Sequence, residues 1–225
     1  MRPLSPRVVE LLNDALAAAS RIPGFNADSI VLAEMPGPIG IPDLTVVVGT
    51  TCKRKLRLSS GIPPLLNRLD AAVLASLPSA GSRTPEAIAR KLGWPQHVVE
   101  RRLPHLLSVE AIQKSGKSGF EKNPAITSIG DIFVIEAKVS NWQRALEQAH
   151  AYSVWSNGYV LVLGDLSRET QVRVATNVAQ DRGGLYVAGR WRRVPRKHAV
   201  TSASNLWASE HVVAALVNQK PSAAP

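Results

Sequence analysis

The feature that most constrains the fold is a change of pattern near residue 60, which reverses near residue 123. Before and after the intervening stretch, apolar strand runs alternate with helical segments, whereas the stretch itself has helical spacing almost throughout. The run Gly61-Ile62-Pro63-Pro64 at the first change is typical of a linker. The pattern predicts a discontinuous α/β core over residues 1–62 and 123–225 and an inserted, mainly helical domain over residues 63–122.

The core pattern predicts a sheet flanked by helices. Predicted helices cover about residues 5–20, 142–155, 168–182 and 204–217, and predicted strands cover residues 29–34, 44–48, 129–139, 158–163 and 184–191. The proline- and glycine-rich run over residues 35–42 breaks both helix and strand ladders, so we expect a turn there.

The insertion begins with a predicted helix over residues 65–77. Thr84-Pro85-Glu86 is a strong helix start, and Gly93 ends that second helix. A third helix is expected from near Pro95 and carries apolar residues as far as Leu107. A short strand at residues 111–113 and a flexible hairpin tip at 114–119 follow.

Composition excludes several classes of protein. The chain has 225 residues and a single cysteine, Cys52, which rules out a disulfide framework and a cysteine-based zinc site. No apolar run approaches the ~20 residues that cross a bilayer, and the N-terminus lacks the apolar stretch of a signal peptide, so we expect a cytoplasmic protein with no membrane partner. Lys and Arg number 27 against 17 Asp and Glu, a net charge of +10 that favours a nucleic-acid partner.

The strand over residues 131–138 carries the chemistry. Because side chains alternate along a strand, Glu136 and Lys138 share one face. A second carboxylate from a neighbouring strand would complete a site for Mg²⁺, which takes one or two carboxylates plus waters and phosphate oxygens. Asp43, just before the strand at 44–48, is the preferred second acid, and Asp131 is the alternative.

Ile-Pro-Asp43 together with Glu136-Ala-Lys138 resembles the active-site signature of the PD-(D/E)xK, restriction-endonuclease-like nuclease superfamily. The order of core elements is also similar to that family. The resemblance implies that Asp43, Glu136 and the Ala137 carbonyl hold Mg²⁺, for which Mn²⁺ can substitute. It also implies that Lys138 assists the attacking water and that Gln148, on the next helix, orients substrate or water.

The insertion resembles a winged helix-turn-helix domain, with the segment over residues 112–120 in the place of the wing. That resemblance implies DNA docking through the third helix and the hairpin. The contact residues it implies are His97, Arg101, Arg102, Lys114 and Lys117.

Two functions remain open from the sequence. One is a metal-dependent DNA endonuclease, a phosphodiester hydrolase whose winged helix docks DNA. The other is a non-catalytic DNA-binding or regulatory protein that uses a degenerate nuclease-like core as a scaffold. In both cases the expected partner is DNA, bound by a homodimer or within a larger nucleoprotein complex.

Overall fold

The computed structural model describes the backbone of residues 6–49 and 51–219 and the side chains of residues 11–49 and 51–219. The helices are α1 (Pro6–Ala19), α2 (Thr51–Ser59), α3 (Arg68–Ser76), α4 (Pro85–Leu92), α5 (Gln96–Glu100), α6 (Leu103–Ser108), α7 (Trp142–Tyr152), α8 (Arg168–Gln180) and α9 (Ser202–Asn218). The strands are β1 (Ile30–Ala33), β2 (Leu44–Val48), β3 (Ile112–Ser115), β4 (Gly119–Lys122), β5 (Asp131–Lys138), β6 (Gly158–Leu163), β7 (Gly184–Val187) and β8 (Arg190–Arg193). None of the helices in the described ranges is long and apolar enough to cross a membrane.

The chain divides into two compact units. Unit 1 comprises residues 1–49 and 130–200, and unit 2 comprises residues 50–129 and 201–225. Unit 1 contains a mixed six-stranded sheet flanked by helices, which confirms the predicted α/β class.

The strand order in the sheet of unit 1 is β1-β2-β5-β6-β7-β8. β1, β2 and β5 pair antiparallel, β5, β6 and β7 run parallel, and β8 returns antiparallel to β7. The helices α7 and α8 form the two crossovers between the parallel strands. Such crossovers are almost always right-handed. Because both connections lead to the next strand in the same direction across the sheet, α7 and α8 cover the same face.

The two faces of β5 meet different surroundings. Phe133 and Ile135 pack in a buried apolar cluster with Leu11 and Ala15 of α1. The Glu136 side chain lies on the opposite face, where α7 packs against the strand. The alternation predicted for this strand is therefore confirmed, and α1 and α7 sandwich it.

The sheet ends in a hairpin that the sequence pattern does not predict. The prediction of a single strand over residues 184–191 is wrong, because a turn at Ala188 and Gly189 divides this segment between β7 and β8. Both turn residues have positive φ, +47° and +73°. These left-handed values are those of a type I′ turn, whose twist suits a two-residue hairpin. At the other end of the unit, Ser5, the predicted start of the first helix, lies outside the described residues.

Unit 2 contains the short helices α2 to α6, the longer helix α9 and the two-stranded β3–β4 hairpin. One buried apolar cluster joins them; its members include Leu74, Ile88, Val99, Leu106, Ile112 and Leu206. Arg83 also bridges to Phe120, which adds a third short extended segment beside the hairpin.

Helix α4 of unit 2 begins and ends as the sequence predicts. Thr84 caps α4, and its hydroxyl oxygen accepts the Ala87 backbone N–H at 3.3 Å. Pro85 occupies the first helical position, where its missing N–H costs nothing. Gly93 ends the helix with φ of +68°, a left-handed value that glycine adopts without strain.

The prediction of one continuous third helix is wrong. The segment forms α5 and α6, with a break at Arg101 and Arg102. Pro104 explains the break, because it lacks an N–H and its ring would clash with the carbonyl group of Glu100 in a continuous helix.

The observed boundaries of unit 2 differ from the predicted ones at residues 62 and 123. The sequence pattern predicts the last helix as part of the core, and it does not predict α2. Arg57 of α2 is buried and donates to both carboxylate oxygens of Glu210 in α9, at 2.8 and 2.6 Å. It also donates to the carbonyl oxygens of Ile62 and Pro63 at 2.8 and 3.0 Å. This buried ion pair connects α2, the linker and α9, so all three belong to unit 2.

Candidate active site

The first two predicted site residues meet where β2 begins and β5 approaches its end. The last pair in the ladder is Leu44 opposite Ile135, and continuing this register by one residue sets Asp43 opposite Glu136. The Ala137 backbone N–H donates to Oδ2 of Asp43 at 2.7 Å. Two acids far apart in the sequence therefore lie side by side at one end of the sheet.

The turn over residues 35–42, just before the first acid, packs against the end of α7. Gly40 has φ of +74°, and a Cβ atom there would lie 2.8 Å from the ring of Tyr152. The indole N–H of Trp155 donates to the Ile39 carbonyl oxygen at 3.3 Å. The glycine and this hydrogen bond hold the turn against α7, and the turn in turn places the first acid.

Lys138 completes a cluster of three charged groups. Its Nζ lies 2.5 Å from Oε1 of Glu136 and 3.9 Å from Oδ2 of Asp43. The Glu136 side chain is 2% exposed, whereas those of Lys138 and Asp43 are 30% and 37% exposed. Glu136 thus forms the floor of the site, and the other two groups are open to a ligand from solvent.

Two side chains of α7 support Glu136. The hydroxyl group of Tyr152 donates to Oε2 of Glu136 at 3.3 Å. The side chain of Gln148, one helical turn earlier, lies beside the same hydroxyl group. Its Oε1 is buried without a hydrogen-bond partner among the described residues. Gln148 therefore acts on the site through Tyr152, and it leaves a buried oxygen available for a further donor or cation.

Burial governs the protonation of this floor. Desolvation raises the pKa of Glu136, and the negative charge of Asp43 adds to the rise, while the hydrogen bond from Lys138 opposes it. Burial and the neighbouring Glu136 carboxylate also raise the pKa of Tyr152, so its hydroxyl keeps its proton and remains a donor.

The alternative acid lies elsewhere in unit 1. Asp131 opens β5, five residues before Glu136. At ~3.3 Å per residue that separation is about 17 Å along the strand. Asp131 instead forms an ion pair with Lys197 at 2.7 Å.

The donor atoms at the candidate site suit a hard cation. Asp43 and Glu136 supply two neighbouring carboxylate groups, and Mg²⁺ is usually bound by one or two protein carboxylates. The backbone N–H and C=O groups of a strand residue point towards the same neighbouring strand. Since the Ala137 N–H donates to Asp43, the Ala137 carbonyl group also points towards the side of Asp43. The described residues hold no group of three or more His, Cys, Asp or Glu side chains placed for a metal, so the remaining ligands would come from water and substrate.

The residues predicted to contact DNA lie in unit 2, and some of them surround one cavity. Lys114 and Lys117 line a cavity of about 500 Å³ together with Gln96 and the first turn of α4. His97, next to Gln96, and Arg101 are exposed. These side chains are accessible to a large anionic ligand.

Arg102 has a different place from the one the winged-helix resemblance implies. Its guanidinium donates from Nε and a terminal nitrogen to the two carboxylate oxygens of Asp70, each at 2.7 Å. The Asp70 side chain is 1% exposed and that of Arg102 is 25% exposed. His105 lies 3.7 Å from the same carboxylate. The structure therefore commits Arg102 to an internal ion pair.

Two site residues were not assigned a role by sequence reasoning. Tyr152 follows Gln148 by four residues, and this helical spacing was the available signal that the two side chains share a face. Asp70 carries no such signal, because a lone acid in the first turn of a helix is normally a solvated residue that favours the helix dipole.

No protein family, curated protein or solved structure matches this chain.

Proposed function

We propose that this protein is a Mg²⁺-dependent nuclease that hydrolyses phosphodiester bonds in DNA, and that unit 2 docks the DNA as a winged helix. The observation that carries the proposal is the meeting of Asp43, Glu136 and Lys138 at one end of the sheet. Two carboxylates and one ammonium group in this arrangement suit the binding of a cation and of an anionic phosphate together.

Each side chain of the cluster has a separate task in this reaction. Asp43 and Glu136 would hold the cation, with the Ala137 carbonyl as a third protein ligand. Mg²⁺ would polarise the phosphate, lower the pKa of a bound water and stabilise charge on the leaving oxygen. The Lys138 ammonium would contact the attacking water and a non-bridging phosphate oxygen.

The residues on α7 keep the floor of the site in position. Tyr152 fixes one oxygen of Glu136, which leaves the other free for ligation. Gln148 lies beside the Tyr152 hydroxyl group, so it acts as a positioning residue. Its unpartnered Oε1 is a further acceptor for a water or substrate donor.

The charge distribution supports unit 2 as the docking surface. Residues 50–129 and 201–225 carry 14 Lys and Arg against 6 Asp and Glu, a net charge of +8 out of the chain's +10. The phosphate backbone supplies most of the affinity of non-specific DNA binding, so a strongly basic unit is suited to this role. We propose His97, Arg101, Lys114 and Lys117 as its contacts.

One observation favours the second function, DNA binding without catalysis. Lys138 already neutralises Glu136 at 2.5 Å, and Glu136 is buried with a raised pKa. A site of this kind can be stable without a cation. In that case the core would serve as a scaffold for the basic unit.

Metal-dependent cleavage tests the two functions against each other. We would compare the parent with Asp43→Asn, Glu136→Gln and Lys138→Met in a plasmid-nicking assay with Mg²⁺ or Mn²⁺, and measure Mn²⁺ binding in parallel. Asp131→Asn is the matched control, since it removes a carboxylate from the same strand outside the cluster. The nuclease proposal expects all three site variants to lose cleavage, and only the two acid variants to lose metal affinity.

The opposite results are equally informative. If the parent neither cleaves DNA nor binds Mn²⁺ through Asp43 and Glu136, the nuclease proposal is wrong. Retained DNA binding by that same parent protein would then support the non-catalytic function.

A further inference from the structure

One side of α7 carries three polar side chains at intervals of four residues, namely Arg144, Gln148 and Tyr152. Residues four apart are neighbours on a helix, about 6 Å apart along its axis. Tyr152 is buried and donates to Glu136 in the floor of the candidate active site, and Gln148 lies beside the Tyr152 hydroxyl group. Arg144 is the third member of this row, and the proposed reaction gives it no task.

The direction of α7 places Arg144 at the open edge of the candidate site. The helix connects the end of β5 to the start of β6, and these two strands are parallel. The first turn of α7 therefore lies near Lys138, the last residue of β5, and its last turn lies deeper along the sheet. Side chains lean towards the N-terminus of a helix, so the Arg144 side chain extends further towards that edge.

The exposure of the three side chains changes in the same order. Tyr152 is 2% exposed, Gln148 is half-buried and Arg144 is exposed. Among the described residues, the Arg144 guanidinium group has no hydrogen-bond or ion-pair partner, and the first turn of α7 contains no acidic residue. The planar guanidinium group carries five N–H donors and is suited to a bidentate contact with two phosphate oxygens.

The spacing along α7 decides which phosphate group Arg144 can reach. Its Cα atom lies about 12 Å further along the helix axis than that of Tyr152, which contacts Glu136. Ligand oxygens lie about 2.1 Å from Mg²⁺, so a phosphate group on the same cation as Glu136 would lie within about 6 Å of that carboxylate. Arg144 is therefore placed beyond the cleaved phosphate group, near the next one along the strand.

We propose that Arg144 binds the DNA phosphate group next to the cleaved one, through two parallel N–H···O bonds. The contact holds the strand over the candidate active site and leaves cation binding to Asp43 and Glu136. This inference rests on the proposed function in taking DNA as the ligand of the site. It specifies a substrate whose strand continues at least one phosphate group beyond the cleaved bond.

DNA binding measured without metal tests this contact apart from catalysis. The probe is a short fluorescein-labelled duplex, followed by anisotropy in EDTA at several salt concentrations. Arg144→Ala is compared with the matched control Arg182→Ala. Arg182 is an exposed arginine of the same unit that precedes β7, so it lies at the opposite end of the sheet. Arg144→Lys keeps the positive charge but loses the planar pair of donors.

We expect Arg144→Ala to weaken duplex binding about tenfold, as for the loss of one charge-assisted contact, and to lower the salt slope by about 0.9. Arg144→Lys should recover the salt slope but only part of the affinity. Arg182→Ala should change the affinity by no more than about twofold, because an arginine far from the DNA acts only through screened long-range charge. Equal weakening by Arg144→Ala and Arg182→Ala would overturn the proposal.

Cleavage kinetics test which phosphate group Arg144 binds. An uncharged methylphosphonate is placed, in turn, at each linkage next to the bond that the parent cleaves. At one of these two linkages it should raise the KM of the parent about tenfold and that of Arg144→Ala by no more than about twofold, with kcat changed by less than about threefold. Equal sensitivity of the two proteins at both linkages would overturn the assignment to the neighbouring phosphate group.

The outcomes separate this inference from the nuclease proposal. DNA affinity that depends on Arg144, in a parent protein without metal-dependent cleavage, supports Arg144 as a phosphate-binding residue and removes the nuclease. Cleavage that depends on Asp43, together with equal DNA affinity of the parent and Arg144→Ala, removes the Arg144 contact alone.

Discussion

Replacing Arg102 by alanine separates a structural arginine from a DNA-contacting one. The winged-helix resemblance implies that Arg101 and Arg102 both contact DNA, but in the structure Arg102 pairs with the buried Asp70 through two hydrogen bonds of 2.7 Å. The variant leaves a carboxylate that is 1% exposed without its main cation. We therefore expect Arg102→Ala to destabilise unit 2, and Arg101→Ala to leave its stability unchanged.

The magnitude follows from the burial of the pair. Breaking a buried ion pair by removing one partner costs about 3–5 kcal/mol. The guanidinium is 25% exposed, and His105 at 3.7 Å can replace part of the lost interaction, so both lower the cost. We expect a loss of about 2–4 kcal/mol, which for a unit of this size lowers Tm by roughly 10 °C or more.

Urea denaturation of the parent and of both arginine variants measures this difference, with DNA affinity determined below the unfolding transition. Arg101→Ala should lie within about 0.5 kcal/mol of the parent, as for an exposed side chain without fixed contacts. The double variant Asp70→Leu with Arg102→Met should recover much of the lost stability, because it leaves no unpaired charge. Equal stability of the two single variants would refute the reasoning, and a well-folded Arg102→Ala protein with weakened DNA binding would restore the role implied by the winged-helix resemblance.

Three further predictions concern other parts of the chain. Glu210→Gln should lower the free energy of unfolding of unit 2 by about 3 kcal/mol in urea titrations, because it leaves the buried Arg57 without a counter-charge; a change below about 1 kcal/mol would contradict the assignment of α2 and α9 to one unit. Burial raises the pKa of Glu136 above its usual value near 4.5, so the folded state binds the proton more tightly than the unfolded state does. The stability that protonated Glu136 contributes is therefore fully present below pH 4.5 and is lost as the pH rises through the pKa of the folded state. Glu136→Gln should therefore gain stability relative to the parent as the pH rises above 4.5, and a difference that does not vary with pH would disprove this cause. Ala188→Gly should raise Tm, with a gain of about 0.5–1 kcal/mol, since glycine adopts the positive φ at this turn without a Cβ clash; no gain would mean that the turn is not strained.

Local signals in the sequence were sufficient for several elements. The capping threonine, the first-turn proline and the terminal glycine define α4 within a single short segment. The alternation in the strand over residues 131–138 correctly placed Glu136 on the face opposite Phe133. These features depend on backbone chemistry and on a period of two, and both can be derived from neighbouring residues alone.

Other features depended on contacts between distant parts of the chain. The local pattern does not predict α2, a helix whose Arg57 is held by Glu210, far away in the sequence. The apolar spacing after Pro95 predicts one helix, yet Pro104 divides it, since the loss of one backbone donor and a steric clash outweigh the spacing.

The candidate site shows the same division. The sequence by itself determined which residue types could bind a cation and that Glu136 and Lys138 share a face. Whether Asp43 or Asp131 joins them depended on the register of β2 against β5, which pairs Leu44 with Ile135 and leaves Asp43 beside Glu136. The burial of Glu136, its contact with Tyr152 and the pairing of Arg102 with Asp70 were likewise decided only by tertiary structure. The physical reason is that the protonation and availability of a charged side chain depend on its desolvation and on partners from other elements, which no local pattern in the sequence specifies.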